Sequence, residues 1–191
     1  MDFLNSIILL TNFIIVPGIT YGSQLALGAI GVTLIYGVLR FANFAYGDLM
    51  AFGTMIVILV TWFLQSKGIT LGLLPTALLA LPVGILLTIA VSLFFDKTVF
   101  EYYRNKKSDP VTFIVVSLGI MFVLNAVVRI IIGPNDINFM DGHKFIMKAR
   151  EFKQMTGLNE GLALKSTQVI TLITTIITVS YTHLRAHETK K

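Results

Sequence analysis

The sequence predicts an all-α protein, a polytopic bundle of about five to six hydrophobic transmembrane helices. Of 191 residues, 55% are hydrophobic and 13% are charged, against about 45–50% and about 25% in an ordinary soluble domain. The charges are unevenly placed, so several windows reach the roughly 20 apolar residues that a helix needs to cross a bilayer. A soluble fold of this size could not hide so much apolar surface behind so few charges.

The first apolar run covers residues 3–16 and is too short for a full span. Pro17-Gly18 follows it, and proline both lacks a backbone donor and pushes the preceding residue out of helical geometry. We therefore expect a break there. Residues 19–39 form a second helix that is long enough to cross the membrane.

Small residues recur along this second helix at intervals of four, four and three, which places them on one helical face. They let another helix approach closely, which is the main packing device where lipid removes the hydrophobic drive. We therefore predict a helix-packing face made of Gly18, Gly22, Ala26 and Ala29.

Arg40 ends the second helix, and residues 41–48 bring polar groups and glycine between two strongly apolar runs. This composition predicts a backbone break. A third helix is predicted over residues 49–64 and a fourth over 69–95, with Pro82 expected to kink the fourth.

The most charged stretch, residues 96–109, is predicted to be a loop, and residues 111–132 a fifth helix. Four lysines and arginines in that loop predict that it is cytoplasmic. Residues 135–166 would then lie outside although they contain five basic residues, and we favour the first loop because its basic density is higher. A sixth apolar run, residues 169–179, is too short to span.

Residues 180–191 do not continue the apolar pattern, and the string resembles the translation of a sequencing-library adapter. A native cytoplasmic tail is the alternative. We expect a non-native tail on a truncated chain, and such segments are left out of fold reasoning. His183 and His187 are therefore not interpreted as a metal site, despite their spacing of four.

Nothing in the sequence predicts an enzyme. The chain has no cysteine, no phosphate-binding glycine loop and no zinc-protease helix motif. No nucleophile has a histidine partner that the sequence identifies. We expect no catalytic residue, metal or cofactor. The net charge of +5 indicates basic loops facing anionic lipid rather than a nucleic-acid partner.

Polar residues at membrane depth are unfavourable in lipid and usually line a cavity or path. Asn43 and Asp48 flank the predicted break, and Asp48 has two interpretations: it caps a helix that begins at residue 49, or it lines a pathway. Asn125 is expected to form a hydrogen bond between helices. Arg129 is expected to extend to the membrane interface.

The segment Asn43-Phe44-Ala45-Tyr46-Gly47-Asp48 resembles an element of bacterial ABC importer permeases of the branched-chain amino acid (LivH) type. The resemblance covers about residues 17–180. Further stretches that carry it are residues 18–23, 27–31, 34–40, 49–50, 99–104, 117–120, Asn125 and 133–134.

The resemblance implies a permease subunit of the bacterial inner membrane, with residues 1–179 as an incomplete permease domain. It implies a substrate pathway that includes Asn43, Gly47 and Asp48. The implied partners are a second permease subunit, cytoplasmic ATPase subunits that use the ATP, a periplasmic substrate-binding protein and membrane lipid. Tyr46 stands where the family usually has histidine, so if that histidine contacts the substrate, the resemblance does not fix the specificity. The family's segment that docks onto the ATPase is not expected here, since Arg185-Ala186 imitates it only superficially.

Two alternatives stay open. A permease of the same family could carry urea, amides or another small polar solute. A structural membrane protein without transport is the alternative from another class.

Overall fold

The computed structural model describes residues 2–72, 74–135, 139–141 and 145–188. The chain divides into two compact units. The first comprises residues 1–31, 72–75 and 142–191, and the second comprises residues 32–71 and 76–141. His143, the remaining histidine, and residues 189–191 of the predicted tail lie outside the described residues.

The N-terminal region is helical from Asp2 to Leu39, so the predicted break at Pro17 is wrong. It consists of α1 (Asp2–Leu10), a π-helical turn (Thr11–Ile15) and α2 (Val16–Leu39). In the π turn the N–H of Val16 donates to the carbonyl of Thr11, five residues back. This wider turn makes room for the proline ring, which would otherwise collide with the carbonyl of the preceding turn. The first two predicted helices are therefore one helix.

Four helices in the described part of the chain are long and apolar enough to cross a membrane, which confirms the all-α polytopic class. The third predicted helix corresponds to α3 (Ala45–Ser66), which begins four residues earlier than predicted. The fourth corresponds to α4 (Ala77–Phe95), which begins eight residues later than predicted. Pro82 lies inside α4, as expected. The four candidate spans are Phe3–Leu39, Ala45–Ser66, Ala77–Asn105 and Pro110–Ile132.

The predicted loop at residues 96–109 is mostly helical. A π-helical turn (Asp96–Phe100) and α5 (Glu101–Asn105) extend α4, and α6 (Pro110–Ile132) follows. The Arg104 guanidinium donates two hydrogen bonds to the Asp96 carboxylate, at 2.7 and 2.9 Å. Four of the seven charged residues therefore lie on a helix and three follow it, because charge density reports the surroundings of a segment rather than its backbone conformation.

In the second unit α3 packs against both α4 and α6. α4 runs antiparallel to α3, and two glycines make the contact close. A Cβ built on Gly53 would lie 2.6 Å from Thr88 Oγ1, and one built on Gly84 would collide with Val57 Cγ2. While Thr88 and Val57 are present, a side chain at either glycine would collide with one of them, so these glycines allow the close approach of the two helices.

Three phenylalanines hold one end of the second unit together. The ring of Phe41 lies 5.7 Å from that of Phe100 and 5.1 Å from that of Phe113, and the Phe100 and Phe113 rings are 6.4 Å apart. Phe41 and Phe100 are buried. The cluster joins the segment after α2, the extension of α4 and the first turn of α6.

At the other end of the second unit Asp141 joins α3 to α4. Its Oδ1 accepts a hydrogen bond from Gln65 Nε2 at 2.8 Å, and its Oδ2 accepts one from the backbone N–H of Ala77 at 2.7 Å. Asp141 therefore caps the N-terminus of α4 from a distant part of the sequence.

The first unit contains the polar segment in which the sequence shows no sustained periodicity. β1 (Phe145–Met147) pairs antiparallel with β2 (Leu164–Lys165), and α7 (Ala149–Thr156) lies between them. The segment docks on the N-terminal helix, where Asn5 Oδ1 and Asn12 Oδ1 each accept a backbone hydrogen bond at 3.3 Å, from the N–H groups of residues 160 and 163.

The last element, α8 (Ser166–Glu188), runs through residue 180 without a change of secondary structure. The predicted non-native tail begins at that residue. The origin of residues 180–191 stays a prediction, because backbone continuity does not report where a segment came from.

Candidate functional site

The predicted break between α2 and α3 is present at residues 40–44. Arg40 ends α2 with a φ of 60°, and its N–H donates to the carbonyl of Tyr36 at 2.9 Å. A positive φ at the end of a helix turns the chain away from the helix axis. The backbone between two membrane-spanning helices is therefore irregular here, as the glycine and polar residues predict.

Phe44 is the N-cap of α3, and the side chain that binds the first N–H of the helix is that of Asn43. Its Oδ1 accepts a hydrogen bond from the N–H of Ala45 at 3.1 Å, and Ala45 is the first residue of α3. The cap interpretation of Asp48 is wrong, because Asp48 is the fourth residue of a helix that begins earlier than predicted.

The break is also attached to α6. The N–H of Phe44 donates to Ser117 Oγ at 3.2 Å, and Ser117 Oγ donates to the carbonyl of Ile114 at 2.7 Å. Ser117 is fully buried. Irregular backbone at membrane depth persists only where protein or water satisfies it, and here Asn43 and Ser117 supply the partners.

Asp48 faces α6. Its Oδ1 accepts a hydrogen bond from Asn125 Nδ2 at 2.9 Å, and Asn125 Oδ1 accepts one from Arg129 Nε at 2.8 Å. The hydrogen bond between helices that was expected of Asn125 is thus confirmed. At about 1.5 Å per residue, Asn125 lies about 22 Å along α6 from its start and about 10 Å from its end, well within the span.

Two clefts border the break. The first, of about 470 Å³, is lined by the last turns of α2 and by residues 42–44, 46 and 47. The second, of about 400 Å³, lies on α2, α3 and α4. Asn43 and Tyr46 line both clefts, and Gly47 lines the first. Among the described residues that line them, Asp48 does not occur, so the structure brings two of the three predicted pathway residues together and turns the third to α6.

Tyr36 also lines the first cleft, although the sequence predicts only a packing or interfacial role for it. Its position one turn before Arg40 is the only signal that could have associated it with the break. The role of Ser117 was not predicted either, because its hydrogen-bond partner, Phe44, lies 73 positions away along the chain.

The glycines of the predicted packing face on α2 do not make the close helix contact that the glycines of α3 and α4 make. No described residue lies within 4 Å of a Cβ built on Gly18 or Gly22, and Ala29 is exposed while Ala26 is half-buried. A role for this face in packing stays a prediction. Isolated glycines inside α3 and α4 were the signal for the close contact that does form.

Comparison with known proteins gives one family. Its profile is described as branched-chain amino acid transport system, permease component, and matches residues 14–190. No solved structure matches the chain.

The curated relatives are bacterial permease proteins. The high-affinity branched-chain amino acid transport system permease protein LivH of Escherichia coli (strain K12) is 30% identical over 121 residues, which is 63% of this chain and 38% of LivH. The corresponding protein BraD of Pseudomonas aeruginosa is 32% identical over 92 residues, 48% of this chain and 29% of BraD. The aligned part of this chain thus covers about two fifths of the length of LivH and a smaller share of BraD.

Proposed function

This chain belongs to the branched-chain amino acid transport permease family, and on that premise we propose that it forms part of the translocation pathway of an ABC importer for branched-chain amino acids. It is a multi-pass protein of the bacterial inner membrane. The members of the family are transport subunits.

The helix break at residues 40–44 is the observation that carries the proposal. A broken helix at membrane depth offers backbone groups to a polar solute, and transporters place such breaks at their binding sites. The two clefts beside the break each have a volume of several hundred Å³. That is the space in which a small solute could be held.

The chemistry of the first cleft suits a small zwitterion with an aliphatic side chain. Val32 and Ile35 are apolar, whereas Asn43, Tyr36 and Tyr46 carry neutral hydrogen-bonding groups. Neutral groups can contact a carboxylate and an ammonium group without an unpaired buried charge.

The partners in this proposal are a second permease subunit, cytoplasmic ATPase subunits and a periplasmic substrate-binding protein. ATP would be hydrolysed by the ATPase subunits, so this chain would need no cofactor of its own. The binding protein would deliver the amino acid, and hydrolysis would drive alternating access.

Uptake of radiolabelled leucine tests the proposal. The permease that contains this chain is expressed with its partner subunits in a strain without other branched-chain amino acid importers. We expect ATP-dependent uptake that unlabelled valine and isoleucine inhibit and that urea and acetamide do not. Inhibition by urea or acetamide alone would favour the amide-carrying alternative, and no leucine uptake at a normal protein level would contradict the proposal.

Variants at Asn43 separate its two roles. A serine hydroxyl can accept the same hydrogen bond from the N–H two residues on, so Asn43→Ser should keep most of the protein level while it lowers leucine uptake per molecule. Asn43→Ala should lower the protein level as well. Asn105→Ala, at the exposed end of α5, is the matched control and should change neither quantity.

A further inference from the structure

Asp48, Asn125 and Arg129 form a continuous polar chain between α3 and α6. We propose that this chain is a positioning device: Asn125 joins the Asp48 carboxylate to the Arg129 guanidinium through its neutral amide and so fixes the start of α3, and with it the clefts at the break, against α6. The hydrogen-bonded link between α3 and α6 rests on geometry alone. The effect of that link on transport rests on the proposed function.

Hydrogen bonds can join these three groups only with the amide between the carboxylate and the guanidinium. A carboxylate only accepts, a guanidinium only donates, and a primary amide does both from opposite sides. Asn125 donates to Asp48 from its nitrogen and accepts from Arg129 at its oxygen. An amide is therefore the group that can bridge these two charges in this order.

The spacing on α6 makes the bridge possible. Asn125 and Arg129 are four residues apart and so lie on the same helical face. The positive charge of Arg129, three residues from the end of α6, is in this way connected to a negative charge deeper in the membrane. Ionisable groups inside a bilayer are unfavourable unless they are paired, so each of these groups stabilises the position of the other.

The chain acts beside a second attachment of the break to α6. Ser117 accepts from the N–H of Phe44, just before α3, and Asn125 donates to Asp48, in the first turn of α3. Two attachments on the same pair of helices fix both the distance and the rotation of α3 about its axis. Because Asp48 faces α6 and not the clefts, its effect on the solute is indirect.

An exchange of the two side chains tests the proposal. Asp48→Asn keeps the size of the side chain but leaves Arg129 without a compensating charge. Asn125→Asp places two carboxylates next to each other. We expect each single variant to lower leucine uptake per molecule by on the order of tenfold, because Asp48→Asn turns a charge-assisted hydrogen bond into a neutral one and Asn125→Asp removes the donor.

The double variant Asp48→Asn/Asn125→Asp restores one carboxylate and one amide, with the carboxylate now beside Arg129. We expect its uptake to return to within about threefold of the wild type, since a hydrogen-bonded charge pair is rebuilt. Asn105→Asp, on the exposed end of α5, is the control for an added carboxylate and should behave like the wild type.

The outcomes separate the inference from the proposed function. If the double variant regains its protein level but not its uptake, Asp48 contacts the solute directly and the inference is wrong; single variants with normal uptake would also overturn it. If the wild type transports no branched-chain amino acid, the proposed function fails, and the thermal stability of the same proteins in detergent tests the link. Recovery of stability in the double variant would then support the link, and no recovery would contradict it.

Discussion

Asn43 and Asp48 hold the start of α3 from different sides: Asn43 Oδ1 accepts from the first N–H of the helix, and Asp48 Oδ1 accepts from Asn125 on α6. Both residues were predicted to flank the helix break, but Asn43 lies within it and Asp48 is the fourth residue of the helix that follows. A cap was one of the two interpretations of Asp48 because the helix was predicted to begin at residue 49, whereas α3 begins at Ala45. A shift of four residues in a helix boundary moves the cap to another side chain, and local propensity does not fix boundaries that closely.

Asp141 offers a prediction at the scale of one residue. Asp141→Ala removes two acceptors at once and leaves the first N–H of α4 without its cap. We expect the stability of the detergent-solubilised chain to fall by about 1–2 kcal/mol, measured as a lower temperature of half-loss of the monodisperse protein.

Asp109→Ala is the matched control for this change. Asp109 lies at the N-cap of α6, but its side chain makes no capping hydrogen bond. We expect a smaller loss, limited to the interaction of its charge with the helix dipole. An equal loss in both variants would contradict the role assigned to Asp141.

The π-helical turns explain two wrong predictions at the scale of whole elements. The sequence predicted a break at Pro17 and a loop after Phe95, and in both places a π turn keeps the chain helical. A π turn adds one residue to the hydrogen-bonded ring, and before Pro17 this wider turn makes room for the proline ring. At the other site it accompanies the burial of Phe100 in the aromatic cluster. Neither effect leaves a periodic signal in the sequence.

The antiparallel contact of α3 with α4 gives a prediction at the same scale. Cβ atoms at residues 53 and 88 would be 3.6 Å apart, which lies within the range of disulfides. Because the chain has no native cysteine, the pair Gly53→Cys/Thr88→Cys should form a cross-link in membranes on mild oxidation, detected by a thiol-specific mass tag.

A second pair serves as the control for that cross-link. Ala51 is two residues from Gly53, on the opposite face of α3, and is exposed. The pair Ala51→Cys/Thr88→Cys leaves Gly53 in place and should stay reduced under the same conditions. If it cross-links as readily as the first pair, the α3–α4 contact is incorrect.

At the scale of the whole molecule, the membrane class follows from composition, whereas the arrangement of helices does not. The four spans were visible as apolar runs, although the first two runs proved to be one helix. The hydrogen bonds between Asn125 and Asp48 and between Asp141 and Ala77 join residues 77 and 64 positions apart. Such pairs depend on packing, so a single sequence shows the candidates but not the partners. The orientation inferred from basic residues stays a prediction.

The central claim is that the segment at the break lines a water-accessible pathway, and thiol labelling at residue 47 tests it most directly. A Cβ at Gly47 meets no described atom within 4 Å, so Gly47→Cys should fold normally. In the assembled transporter we expect a hydrophilic thiol reagent to label this cysteine, and leucine to slow the labelling. Phe122→Cys, at an apolar and 68% exposed position in the middle of α6, should resist the reagent. A cysteine at residue 47 that resists labelling as fully as the one at residue 122 would contradict the account.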